Sequence, residues 1–293
     1  MSFDYRSRLD IAGAALLFST GGAAIKMTAL SGWSVAAGRS LIAAAVFFAV
    51  FPAARKGYTR RTVLVSLCYA ATLTLFVLST KMTTAANAIF LQSTAPLYVM
   101  VAAPLMLREA FRRYDLLIGA AIAGGLLLIL SGSSSAQPSA PNPTLGNALA
   151  ASCGLSWAAT LMGLRWLARE GSQDGGVAAV TLGNVFTVAV CLPFVLAEER
   201  VGIRSVDLAA LLYLGIFQVA APYALLTRGL RMVPAFTAGL IILIEPALNP
   251  VWAFLINGER VGLLSIAGGV LILCASAAKS AAEARPTVAP QHP

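Results

Sequence analysis

The sequence predicts an all-α integral membrane protein of ten transmembrane helices arranged as a 5+5 inverted-topology repeat. Three observations lead there. Of the 293 residues, 58% are hydrophobic and only 11% charged, and the mean hydropathy is +0.81. A soluble domain is about one-quarter charged, so this chain cannot cover itself with polar surface and requires lipid as its solvent. Ten apolar runs recur along it, each near the ~20 residues that cross a bilayer core as helix. The third observation is that the chain repeats one stretch.

Moved by 150 positions, Lys81–Glu109 falls on Arg231–Glu259 without a gap. Met82/Met232, Ala85/Ala235, Pro96/Pro246 and Glu109/Glu259 are among eight identical pairs in those 29 positions. The echo resumes where Ile122-Ala-Gly-Gly-Leu-Leu recurs as Ile266-Ala-Gly-Gly-Val-Leu. A shared basic–Met start, Pro and Glu exceed what an Ala/Leu-rich composition produces by itself. The chain is therefore read as a duplicated half.

The elements follow in order. After a polar lead with Arg6 and Arg8, Ile11–Ile25 has the length of a signal-peptide core, but a similar segment opens the second half, so it is expected to be retained. Further spans are expected at 33–53, 62–80, 84–107, 115–132, 145–167, 177–196, 206–227, 235–257 and 262–278. The domains are then 1–132, a first five-helix repeat; 133–144, an uncharged Pro/Ser-rich external linker read as a flexible tether; 145–280, the second repeat; and 281–293, a disordered cytoplasmic tail.

Charge sets the orientation. With the N-terminus cytoplasmic, fifteen basic residues face inward and five (Lys26, Lys81, Arg200, Arg204 and Arg260) face outward, Arg39 lying within a span. The excess predicts a multi-pass protein of the cell (inner) membrane with both termini cytoplasmic. Five spans per half is odd, so the second half runs opposite to the first, an arrangement common in secondary transporters.

Several chemistries are excluded. The net charge of +9 sits in short loops between apolar runs, so the expected surroundings are a lipid bilayer and no nucleic acid. Cys68, Cys153, Cys191 and Cys274 lie inside apolar runs without CxxC spacing and read as small buried hydrophobes, and the only histidine is His292. No metal, cofactor or disulfide is expected. No GxxxxGK[ST] string supports ATP hydrolysis. An intramembrane enzyme would need a catalytic constellation at depth, and the spans hold no His and a single deep acid, so the chain is read as no enzyme.

That acid, Glu245, is halfway along its span, where a charge costs at least about 2.5–3.5 kcal/mol and so faces the bundle interior or water. It is either a titrating carboxyl, a candidate for proton coupling or for meeting a substrate amine, or a structural tie between helices. Pro96, Pro222, Pro246 and Pro250 interrupt spans and are hinge candidates. The candidate substrate-binding residues are Ser19, Asn87, Phe90, Gln92, Tyr98, Trp157, Tyr223 and Asn249, with Thr20 and Gln218 as further polar side chains within spans. Amides in hydrocarbon need partners and turn inward, and Glu245 and Asn249 share a helix face. Lys26 and Lys81 read as interfacial cations with snorkelling stems.

The segment 81–88 (Lys-Met-Thr-Thr-Ala-Ala-Asn-Ala), Ala95-Pro96 and Leu107-Arg-Glu109 together resemble an EamA domain. The copy with Ile244-Glu-Pro246 and Asn257-Gly-Glu-Arg260 resembles it more closely. Two such domains imply the drug/metabolite transporter superfamily, and overall likeness is greatest to bacterial exporters of aromatic and other amino acids. The first copy departs from the pattern at Ala95, where a Glu often precedes the Pro. The resemblance matches Arg39 to an Arg common in the second span, and Trp157 and Phe18 to an aromatic of each opening helix. It implies a cap or ion pair at Glu109 and Glu259.

The function expected is secondary export of amino acids and related small metabolites by alternating access around a midplane cavity. The alternative is a nucleotide-sugar, sugar-phosphate or cationic drug carrier of the same superfamily. Small-residue stripes such as 119–125 pack either within the monomer or in self-association.

Overall fold

The computed structural model describes residues 2–95, 98, 113–132, 138–169, 175–198, 202–233 and 241–283. Among them there are helices and no β-strand. Helices α1 (Ser2–Ser19) and α2 (Gly21–Met27) form one rod broken at Thr20. Then come α3 (Gly32–Val50), α4 (Arg60–Met82), α5 (Ala85–Gln92) and α6 (Arg113–Ser131). The second half holds α7 (Pro143–Arg169) and α8 (Gly175–Ala197). Next, α9 (Ser205–Tyr213) runs through a π-helical stretch, Leu214–Ala220, into α10 (Ala221–Gly229). Helices α11 (Ile244–Asn257) and α12 (Leu263–Glu283) close the chain. With broken rods taken whole and the short 3-10 helix Pro52–Arg55 set aside, the described residues form ten helical segments. Five are long and apolar enough to cross a membrane: Arg6–Met27, Gly32–Val50, Arg60–Met82, Gly175–Ala197 and Ser205–Gly229. Pro96, Glu109, residues 133–137, much of the expected span 84–107 and the tail beyond 283 lie outside the described residues.

Local chemistry explains the boundaries. Ser31, Thr59 and Thr84 each accept a hydrogen bond from the backbone N–H three residues on, at 3.0, 3.2 and 3.1 Å, capping α3, α4 and α5. Gly258 ends α11 in the left-handed region, φ +64°, which a residue without Cβ adopts freely. At the break between α1 and α2, the hydroxyls of Ser19 and Thr20 turn back onto the Leu16 and Leu17 carbonyls. Gly21 and Gly22 then let Gln218 and Asn249 approach the backbone, within 2.5 and 2.6 Å of where a Cβ would stand.

The halves interdigitate. Helix α4 packs on α7, α3 on α8, α6 on α12, and α1 on both α10 and α11. Exchanging the halves maps these neighbours onto themselves, α4 with α7 becoming the α9–α10 rod with α1. The echoed Ala-Gly-Gly motifs meet directly: a Cβ on Gly268 would stand 2.5 Å from the Gly125 carbonyl oxygen. Gly125 of that small-residue stripe thus packs inside the monomer, while Ala120 and Ala123 remain exposed. Outward-facing leucines such as Leu117, Leu127, Leu196 and Leu263 are 66–84% exposed, as a lipid-facing surface requires.

Two expectations are corrected, for the linker and for Cys274. The linker is no loose tether where it is described, because Asn142 N–H donates to the Met82 carbonyl at 3.1 Å, Lys26 Nζ donates to the Ser139 carbonyl, and Ala140 is buried. Pro246 follows an interruption of the helical rod at Leu243, one turn before it, where its missing N–H leaves the ladder open. Cys153 and Cys191 are buried and Cys68 half-buried, but Cys274 is exposed on α12, where a small apolar side chain suits lipid.

Candidate functional site: a central cavity

The middles of the rods converge on one cavity. It is lined by Phe18 of α1, Arg39 of α3, Thr72, Leu73 and Phe76 of α4, Gln92 at the end of α5, Trp157 of α7, Gln218, Val219 and Tyr223 of the α9–α10 rod, and Glu245 at the start of α11. Both halves contribute. Its volume of about 30 Å³ leaves room for about two waters, so a larger solute requires the walls to part.

One wall is aromatic. Tyr223 is its hub, with ring centroids 4.9 Å from Phe18, 4.7 Å from Tyr69 and 6.3 Å from Trp157, all edge-on. Phe18 and Trp157, matched positions of the two opening helices, also meet edge to face at 6.5 Å. Edge-to-face geometry places positive ring edges on negative faces, which fixes the cluster beyond its burial. Tyr69 is anchored from behind by Asn184 Nδ2, which donates to its hydroxyl at 3.1 Å.

The other wall is polar. Arg39 is fully buried, and its Nη1 donates to Gln218 Oε1 at 2.8 Å and its Nη2 to the Leu73 carbonyl at 2.9 Å. Its Nε has no partner, and its guanidinium stands 5.9 Å from the Phe76 ring centroid. The π-helical stretch makes this contact. An inserted residue widens the turn, Gly215 brings it against the Arg39 carbonyl, and Gln218 is carried to the guanidinium. Glu245 is 5% exposed. Among the described residues, no ion pair involves either Arg39 or Glu245.

The EamA-like transporter family model matches residues 9–131 and 144–278, once in each half. The chain belongs to that family. It is a multi-pass membrane protein of a family that moves small solutes. No curated protein is a significant match. A solved structure described only as "Crystal structure of protein" superimposes with a TM-score of 0.63 at 19% identity, over 94% of this chain and 96% of that one. That likeness carries the fold.

In this EamA protein the residues singled out from sequence are distributed unevenly. Gln92, Trp157, Tyr223 and Glu245 are brought together around the cavity. Tyr98 donates its hydroxyl to the Ala151 carbonyl at 2.9 Å. The Ser19 hydroxyl is occupied, accepting from Trp252 Nε1 at 3.0 Å. Phe90 packs on Gly269 of α12. Asn249, one turn beyond Glu245, is fully buried with both amide atoms unpartnered. Asn87 lines a second, smaller cavity with Thr84, Arg260 and Ser265. Of the hinge candidates, Pro222 is the second residue of α10, two positions past the π-helical stretch, and Pro250 is carried within α11.

Sequence reasoning missed the weight of Arg39, which lines the cavity from α3. Its signal was present, since it is the one basic residue read within a span. Thr72 and Phe76 carried no signal. Lys26 was read as a snorkelling cation and is instead buried. Its Nζ lies 3.4 Å from Glu259 Oε1 and donates to the Thr83 carbonyl at 2.6 Å, while Glu259 Oε2 accepts the Ala85 N–H at 2.9 Å. Glu259 thus acts as both ion pair and cap. Lys81 donates to the carbonyl and hydroxyl of Thr28.

Proposed function

We propose that this chain is a secondary transporter exporting amino acids and related small metabolites by alternating access around the central cavity. The observation carrying the proposal is the cavity itself, lined by the aromatic rings of Phe18, Trp157 and Tyr223 together with Arg39, Gln218 and Glu245. Aromatic walls suit amphipathic solutes, and a single basic residue suits a carboxylate better than the several phosphates of a nucleotide sugar.

We read residues 1–132 and 145–280 as the two units of an inverted repeat, with the linker external and both termini on the cytoplasmic side of the inner membrane. Exchange of the halves preserves the packing, each half contributes five rods, and Lys26, Lys81, Arg204 and Arg260 gather at one end. Because the halves interdigitate, the bodies that rock are mixed groups: α6, α11, α12 and α5 against the remaining rods. Glu245 is the candidate proton carrier, and Pro222, two positions past the π-helical stretch, is the favoured hinge.

Counterflow in proteoliposomes tests this reading. Labelled phenylalanine or threonine should accumulate only when a trans amino acid is present. Counterflow that responds to an imposed pH gradient, and a Glu245→Gln variant that does not, would assign the coupling. No counterflow with any amino acid would overturn the substrate class.

A further inference from the structure

We infer that the cavity recognises its solute as a zwitterion, the α-carboxylate docking on Arg39 and the α-ammonium on Glu245. This rests on the reading of the cavity as an amino acid site and says which groups of the solute are obligatory.

The inference stands on two buried ionisable groups that line one cavity without ion partners. A buried guanidinium and a buried carboxylate are each costly unless paired, and breaking a pair leaves the survivor strongly destabilising. Arg39 and Glu245 line one cavity, yet neither pairs with the other or with any described residue. Arg39 is not free to leave. The Gln218 amide oxygen and the Leu73 carbonyl hold two of its nitrogens, and these neutral acceptors orient the charge without cancelling it. A guanidinium carries five N–H donors, so more remain, including the buried and unpartnered Nε. Carboxylate is the anion that matches this fork. Glu245 offers two oxygens to an ammonium. Arg39 is carried by α3 and Glu245 by α11, and one molecule bearing both opposite charges satisfies them together. The rings of Phe18, Trp157 and Tyr223 beside them accept an apolar side chain without selecting its identity.

Competition against labelled phenylalanine counterflow in wild-type proteoliposomes tests the assignment. Phenylalanine methyl ester and phenethylamine lack the carboxylate, and 3-phenylpropionate lacks the ammonium. Each is expected to compete at least tenfold more weakly than phenylalanine. Glu245→Gln should narrow the gap between phenylalanine and 3-phenylpropionate, and Arg39→Lys, which keeps a charge but loses the fork, should narrow the gap between phenylalanine and its methyl ester. Ester or amine competing as well as phenylalanine would overturn the zwitterion site while leaving an amino acid carrier intact. Absence of counterflow with every amino acid would overturn both. The analogue panel uses unaltered protein, so a variant that fails to fold does not decide the matter.

Discussion

Two clusters of buried charge in this protein are built on opposite principles. At the end of the bundle holding Lys26, the two buried acids, Glu259 and Asp207, each have a cation beside them. Lys26 faces Glu259, Glu259 caps α5, and Lys81 is taken up by Thr28. Asp207 accepts the Ala29 N–H at 2.9 Å and pairs with Arg204. At the centre, Arg39 has only neutral acceptors and Glu245 has no ion pair among the described residues. Burial alone does not separate the two clusters, since Glu259 and Glu245 are 3% and 5% exposed. Compensation does. A cluster that satisfies itself fastens helices together; one that leaves opposite charges waiting is prepared for a visitor.

The largest effect that would break this contrast comes from the fastened end. Lys26→Met leaves the Glu259 carboxylate buried without its cation and should cost about 3–5 kcal/mol, read as a fall in Tm in detergent. Adding Glu259→Gln should recover part of that loss, and substrate affinity per folded molecule should be unchanged. A wild-type Tm for Lys26→Met would show that the pair fastens nothing. At the centre the signature should reverse. Glu245→Gln removes a charge-assisted hydrogen bond to the solute worth about 1.5–3 kcal/mol, on the order of a 10- to 100-fold loss of apparent affinity in counterflow. Its Tm should hold or rise, because no protein partner is orphaned. A joint fall in Tm and transport would move Glu245 into the same class as Glu259. Smaller again is Gly268→Ala, where the added methyl meets the Gly125 carbonyl oxygen and Ile129. Overpacking of this kind costs about 1–3 kcal/mol and should lower Tm without altering selectivity.

What could be read from sequence tracks the range of the physics involved. Hydropathy and internal repetition are properties of contiguous residues, so the helical membrane fold and the paired EamA repeats were legible, as was the singularity of Glu245. The aromatic match of Phe18 with Trp157 was legible as an alignment, though not their contact. The π-helical stretch left no trace, because a change of hydrogen-bond register alters neither composition nor period. Lys26 was misread because its partner lies in the other half, and a cation near a span end looks the same whether it snorkels or pairs. Arg39 was visible as a basic residue within a span. Its contacts were not, since Gln218 and the Leu73 carbonyl that hold it come from helices distant in sequence.

The smallest predicted effect isolates backbone conformation from space. Gly258 ends α11 at φ +64°, and a Cβ there would meet nothing within 4 Å, so the cost of Gly258→Ala is conformational alone. It should be about 1 kcal/mol, below that of Gly268→Ala. The position matters because Gly258 lies between Asn257, whose Nδ2 donates to the Ala23 carbonyl at 3.1 Å, and Glu259, which holds Lys26. Strain at Gly258 is therefore felt by the fastened end and not by the cavity, so Tm should fall slightly while the analogue preferences stay fixed. Gly258→Asn should fall less than Gly258→Ala, since Asn tolerates the left-handed region better. If Asn fell further than Ala, side-chain volume rather than φ would be limiting, and the turn would be more crowded than the open space around Gly258 implies.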